Sequence, residues 1–308
     1  MTGSTGSVRS WPPRCAHAAL VFAVALAGCS LRWGEPLETS GGSYLPVADA
    51  ALHYVDEGPA DAPAVILIHG FGSQLGIWEP VLADLDGLRL VRVDLLGFGD
   101  SSRVDGDYSP EAQADAILAL MDALGVRAAV VVGHSMGSMV ALTVAERAPR
   151  RVERLALVAP FVYEEQVPWS YRDARRPGLG ELIVGTWHEE HLDWRMEFAV
   201  HDPSLVTHEM VESARDNSAP RGSKAAALAT IRSWDLPARE QRYGAIDRPT
   251  LIVAGAEDRV VTLPFAERLA VQLPDARLEA VPLCGHLPML ETPDTLGRLL
   301  SDWLGAPR

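Results

Sequence analysis

The sequence predicts an α/β fold, with a mostly parallel sheet flanked by helices on both faces and a helical cap inserted late in the chain. Three observations predict it. From about Tyr44, short apolar runs alternate with amphipathic stretches, the pattern made by buried parallel strands joined through helical crossovers. The alternation stops over residues 161–237 and resumes at Thr250; a gap that long is no ordinary connection and reads as an insertion. The 308 residues, 48% hydrophobic and 22% charged, are enough to bury a sizeable core.

The elements follow in order. Residues 1–28 have the makeup of an export signal: Arg9 and Arg14 precede the apolar run Ala18–Ala27, and no acid occurs before Glu35. The run is too short to span a bilayer and ends in Leu26-Ala27-Gly28-Cys29, which resembles the lipobox of bacterial lipoproteins. That resemblance implies cleavage before Cys29, lipidation of its thiol, and a protein exported and lipid-anchored to a bacterial membrane. An ordinary signal peptide cut near Ala27 or Gly28, or an uncleaved anchor, are the alternatives. Residues 29–43, rich in Gly and Ser, read as a tether.

The folded part then spans 44–308. Ala51–Val55 alternates as an early antiparallel strand, and Ala64–Ile68, Leu88–Val93, Ala128–Val132 and Leu155–Val158 read as buried strands. Pro110–Leu124 carries apolar residues at helical spacing and is stopped by Gly125; a second helix runs from Met136 to Ala148. After the cap come a strand at Thr250–Ala254, a helix at Leu263–Leu273, a strand around Leu278–Val281 and a last helix near Glu291–Leu304.

Composition excludes some functions. A net charge of −14, with Lys224 the sole lysine, disfavours a nucleic-acid partner. Of three cysteines, Cys15 and Cys29 lie in the leader and at the lipobox, so Cys284 is alone in the body and a disulfide framework is not expected.

Gly133-His-Ser-Met-Gly137 fits G-x-S-x-G between a buried strand and a helix, the context in which a tight turn exposes a serine hydroxyl for nucleophilic attack. Here the sequence resembles the α/β-hydrolase family over about residues 44–308. Four further segments match in the family's chain order. His69-Gly70-Phe71-Gly72-Ser73 falls where the family has its oxyanion loop, which implies the backbone N–H groups of Phe71 and Met136 as oxyanion donors. Asp94–Ser101 looks like the family's structural D-x-x-G-x-G-x-S turn. Gly255-Ala-Glu-Asp258 and Gly285-His286 match the acid and the histidine, which implies Ser135 as nucleophile, His286 as general base and Asp258 as its orienting carboxylate.

Each role has rivals. Glu257 adjoins Asp258, and Glu164 stands near the end of the preceding strand, where some relatives keep their acid. His69 and His134 read as packed or hydrogen-bonded side chains, and Cys284 as a quiet core thiol. His188 and His191 are separated by two residues only, not the three of H-E-x-x-H, so no metal site is expected. No dinucleotide fingerprint occurs, and no cofactor is expected.

The resembled family includes dehalogenases and epoxide hydrolases with aspartate at the elbow. Serine there implies acyl transfer instead. The leading expectation is hydrolysis of carboxylic esters, with a small-molecule ester or lipid-like substrate. Carbon–carbon bond hydrolysis beside a ketone, or perhydrolysis, is the alternative on the same scaffold. A non-catalytic surface-binding lipoprotein is the alternative of another class. Trp169, Tyr171, Trp187, Trp194, Phe198 and Trp234 make the insertion aromatic-rich, as either an acyl pocket or the cap's own core.

Overall fold

The computed structural model describes residues 41–187 and 192–305. Cys29, the leader and most of the tether lie outside the described residues, as do His188 and His191. Eight strands form one sheet in the order β1-β2-β4-β3-β5-β6-β7-β8. The first two, β1 (Ser43–Val47) and β2 (Ala50–Glu57), are an antiparallel pair at one edge, and β2 runs antiparallel to β4. The other six are mutually parallel: β3 (Ala64–Ile68), β4 (Arg89–Val93), β5 (Ala129–His134), β6 (Val152–Val158), β7 (Thr250–Gly255) and β8 (Ala276–Val281).

The apolar runs explain the layering. Side chains alternate between faces along a strand, so a run buried on both faces feeds two cores. Ile66, Ile68, Val131, Leu155, Leu157 and Ile252 enter the core beneath helices α1 (Pro110–Ala123) and α2 (Met136–Arg147). Val65, Leu67, Val130, Val132, Ala156 and Leu251 enter the other, under Trp78, Val81 and Leu85 of a 3-10 segment and under Leu296 and Leu300. Burying each such aliphatic side chain contributes about 1.5–3 kcal/mol before chain entropy is set against it. Helix α1 starts where Ser109 Oγ accepts the Ala112 N–H at 3.2 Å, with Pro110 at its first position. Such a cap contributes about 1 kcal/mol.

One strand was not expected. In β1, SYLPV shows no clean alternation and is half exposed, and its proline is tolerated because β1 is an edge. It also begins at Ser43, which the sequence assigned to the tether.

The connection between β6 and β7 holds the cap, built from α3 (Trp169–Ala174), α4 (Leu179–Trp187), α5 (Leu192–Ala199), α6 (His208–Ser218), α7 (Ser223–Ser233) and α8 (Leu236–Glu240). Polar joints attach it to the scaffold. The fully buried Arg103 donates to Ser223 Oγ at 2.9 Å and to the Ser101 carbonyl at 3.0 Å, tying α7 to the turn after β4. Helices α9 (Leu263–Gln272), α10 (Pro288–Glu291) and α11 (Pro293–Leu304) complete the chain.

Candidate active site

Ser135 sits between the last residue of β5 and the first of α2, with φ 51° and ψ −119°. A side chain in that region costs about 1–3 kcal/mol and persists only where its surroundings hold it. The flanking glycines supply the room. A Cβ at Gly133 would collide with the Gly137 carbonyl, and one at Gly137 would come within 2.5 Å of the His69 and Ile68 carbonyl oxygens. The motif therefore presses α2 against β3 and the loop that follows it.

The three residues named from the sequence meet at the carboxyl ends of the parallel strands. His286 Nε2 lies 3.1 Å from Ser135 Oγ, and His286 Nδ1 lies 2.8 Å from Asp258 Oδ2. Asp258 Oδ1 accepts the N–H groups of Val260 and Val261 at 2.7 and 2.8 Å. One carboxylate oxygen is thus fixed by two amides, leaving the other to orient the imidazole with Nε2 toward the serine.

The rivals are engaged elsewhere. Glu164 pairs with Arg175 at 2.6 Å, and Glu257 accepts the Cys284 N–H at 3.1 Å. His69 donates from Nδ1 to the Gly70 carbonyl and accepts the Leu95 N–H at Nε2; burial holds its pKa below the ordinary value. Burial, reinforced by the neighbouring His286, pushes His134 down to about 3. Neutral His134 donates from Nε2 to the His286 carbonyl at 2.9 Å, its ring 5.0 Å from that of His286. Burial pushes the Cys284 thiol up to about 12, which leaves it protonated and unreactive.

The loop after β3 lies beside the serine: a Cβ on Gly70 would stand 3.1 Å from Ser135 Cβ. The N–H groups of Phe71 and Met136 have no acceptor among the described residues. Met136 opens α2, so its N–H also lies at the positive end of a helix dipole. Two fixed donors beside a nucleophile can stabilise a developing oxyanion without reorganising, and losing one such donor typically costs about 100- to 1000-fold.

Sequence reading missed Glu291. One of its carboxylate oxygens accepts the Gly285 and Leu287 N–H groups at 2.9 and 3.3 Å, on either side of His286, and the other accepts the His201 N–H at 2.6 Å. His286 itself donates its N–H to the Ala199 carbonyl at 2.7 Å. The histidine loop and the cap segment just after α5 therefore share one carboxylate. An acid at the end of a short helix is too common for sequence to single it out.

The cap aromatics divide. Tyr171 and Trp234 pack against Phe71, ring centroids 5.5 and 5.7 Å away, and Phe161 joins Trp234 at 5.1 Å. The pocket expectation does not hold for Trp169 and Trp194, which are 67% and 62% exposed, nor for Phe198 at 36%. Phe198 stacks on Trp194 and lies under the Arg259 guanidinium, 5.2 Å from its ring centroid. The Trp187 side chain lies outside what is described.

Among the described residues one trio could hold a cation by proximity: His53, Asp94 and Asp100. Asp94 already accepts three hydrogen bonds, Oδ1 from the Leu75 N–H and Oδ2 from His53 Nδ1 and the Asp100 N–H. The trio braces the turn after β4.

A family model described as alpha/beta hydrolase fold matches residues 63–293. The chain is 30% identical over 268 residues to a 2-hydroxy-6-oxo-6-phenylhexa-2,4-dienoate hydrolase of Burkholderia cepacia, covering 82% of this chain and 91% of the relative. It is 31% identical over 229 residues to a 2-hydroxymuconate semialdehyde hydrolase of Pseudomonas putida, covering 70% and 76%. Among solved structures, a meta-cleavage product hydrolase from Pseudomonas fluorescens IP01 superposes with a TM-score of 0.73 at 26% identity, covering 86% of this chain and 97% of that one.

Proposed function

The chain belongs to the alpha/beta hydrolase fold family, and from that premise we propose that it hydrolyses a carbon–carbon bond beside a ketone in a conjugated oxo-acid, through a Ser135 acyl-enzyme. The observation that carries this reading is likeness to dienoate and semialdehyde hydrolases over most of both chains, together with a serine–histidine pair at 3.1 Å.

The steps follow from the geometry. His286 Nε2 takes the hydroxyl proton as Ser135 Oγ attacks the ketone carbon, and the Phe71 and Met136 N–H groups receive the oxyanion. Collapse breaks the carbon–carbon bond. For this the substrate's dienol must first have ketonised, the proton of its 2-hydroxyl passing to the carbon beside the ketone, so that the leaving carbon is a CH2 next to an enone. The electron pair then becomes that fragment's dienolate, and His286 returns its proton there. Water, deprotonated by His286, then releases the acyl group from Ser135. An acid substrate brings a carboxylate, and Arg195 Nη2 donates to Tyr171 OH at 2.6 Å, on the cap side of the Phe71 cluster. A guanidinium there supports binding of an anionic substrate.

A second reading, carboxylic-ester hydrolysis, is favoured by the apolar faces of Phe71, Phe161 and Trp234, which pack as one aromatic wall. It uses the same steps with an alcohol as leaving group. Parallel assays of a conjugated dienone acid and of an acyl-ester chain-length series, each with wild type and Ser135→Ala, decide between them. Ester turnover without dienone turnover removes the first reading. A folded wild type that turns over neither and resists fluorophosphonate at Ser135 removes both and leaves the non-catalytic one.

The proposal also places the enzyme outside the cytoplasm, lipid-anchored through Cys29, on the strength of the charged-then-apolar leader ending in Leu-Ala-Gly-Cys. Cys29→Ser is expected to release it from the membrane fraction.

A further inference from the structure

We propose that the segment closing helix α5, Ala199-Val200-His201, is a strap that keeps Asp258 and His286 in line with Ser135, and that Arg259 is the positioning residue that fastens it. The inference concerns how the site is held rather than which substrate it takes. It rests on the reading of Ser135, Asp258 and His286 as the catalytic groups.

Each residue of the strap bonds to a loop that carries the acid or the base. The Ala199 carbonyl accepts the His286 N–H at 2.7 Å. The Val200 carbonyl accepts from Arg259 Nη2, also at 2.7 Å. The His201 N–H donates to Glu291 at 2.6 Å, and the other oxygen of that carboxylate accepts the N–H groups on either side of His286. Arg259 Nη2 reaches the Glu197 carbonyl as well, at 3.3 Å, and its guanidinium lies 5.2 Å from the Phe198 ring centroid. The last carbonyls of a helix have no partner within it, and a cation placed there is favourable. Here the acid loop and the base loop supply those partners.

The approach is close. A Cβ on Gly285 would stand 2.6 Å from the Ala199 carbonyl oxygen and 2.7 Å from the His201 nitrogen, so only glycine lets the backbone before His286 lie against the strap. Helix α5 has no buried residue; its end is seated by the buried Val200 and by these bonds. One turn earlier on the helix, Arg195 donates to Tyr171 OH, and Tyr171 packs on Phe71. The same helix thus also reaches the oxyanion loop.

Arg259 follows Asp258 directly, and the Val260 and Val261 N–H groups fix Asp258 Oδ1. The side chain that grips the strap and the amides that hold the carboxylate therefore belong to one turn. A shift of about 1 Å in a reacting group can cost about 100-fold in rate, and the strap bears on both bonds of the triad.

Arg259→Met tests this, because it keeps the stem and removes every donor. Labelling of Ser135 by a short, water-dissolved fluorophosphonate should slow about 10-fold, and kcat should fall by the same factor with KM changed by less than about 2-fold. Arg259→Lys restores a donor and should label within about 3-fold of wild type. The downfield proton resonance of His286 Nδ1, bonded to Asp258, should broaden or move in the methionine variant and persist in the lysine one. Gly285→Ala, which wedges a methyl group under the strap, should slow labelling about 100-fold. If that variant does not fold, the Arg259 pair decides. Wild-type labelling by Arg259→Met overturns the proposal, and so do equal losses in the methionine and lysine variants. A rise in KM alone, or a loss accounted for by the unfolded fraction in thermal melts, overturns it too. Wild type that folds but resists the probe removes the hydrolase reading instead. The resonance then decides the strap: its loss in Arg259→Met supports it, and its persistence refutes it.

Discussion

The sheet and the cap differ in how much of each is buried. Strands β3 to β7 bury nearly every side chain in two cores, so the rim that holds Ser135, Asp258 and His286 inherits the rigidity of the whole scaffold. The cap divides. Its inner helix α7 and Trp234 join the main core, and polar joints at Arg103–Ser223 and Glu291–His201 add to that hold. Its outer side has one helix with no buried residue and exposes three aromatic rings. Rigid placement suits a reaction that loses rate when a group moves by an ångström. A cover whose inner face is packed and whose outer face is exposed suits admission and choice of substrate.

That contrast predicts a ranked series of effects. Ser135→Ala should lower kcat by about 10⁵–10⁶-fold without lowering Tm, because alanine occupies the same turn; turnover measured beside a thermal melt tests this. Asp258→Asn should cost about 10⁴-fold in kcat, since an amide cannot hold the imidazole in the required tautomer. A loss near 10-fold would mean that the acid is supplied elsewhere.

Within the cap, the two tryptophans should part company. Trp234, buried against Phe71 and Phe161, should destabilise the fold by about 3–5 kcal/mol on truncation to alanine. The exposed Trp194 should change stability by at most about 0.5 kcal/mol. Equal losses in denaturant melts would erase the distinction between the cap's inner and outer faces.

Glu291→Gln tests the joint between the two regions. An amide accepts through only one oxygen, so one set of bonds is lost, either to the N–H groups beside His286 or to His201. The expected result is a kcat about 10- to 100-fold lower with KM little changed. A matching drop in Tm with kcat per folded molecule intact would reduce Glu291 to a structural brace.

The smallest effect concerns acid. Burial holds the folded pKa values of His69 and His134 below their unfolded value, about 6.5. The unfolded chain therefore binds more protons, and the stability from keeping these rings neutral is complete above that pH and declines as pH falls toward about 3. His134→Gln keeps a donor at the Nε2 position for the His286 carbonyl and removes one titration. Its Tm should fall less than that of wild type between pH 7.5 and 5, and parallel slopes would count against this cause.

How much was legible follows the same division. The parallel strands could be read because a segment buried on both faces must be apolar throughout, as VILI and AVVV are. The elbow could be read because only glycine fits at 133 and 137. Strand β1 was missed because an edge needs no alternation. The outward turn of Trp194 was missed because an aromatic on a helix reads alike whether it packs inward or faces out. Glu291 was invisible because its partners are backbone amides, which carry no residue identity.

By itself the sequence determined the scaffold and the residue types of the site, because strand burial and the strand–turn–helix constraint act over a few consecutive positions. Only the tertiary structure decided which carboxylate reaches His286, which amides stay unpaired beside Ser135, and how the cap meets the histidine loop. Those outcomes depend on distances between groups tens to more than a hundred residues apart, which packing fixes and local pattern does not.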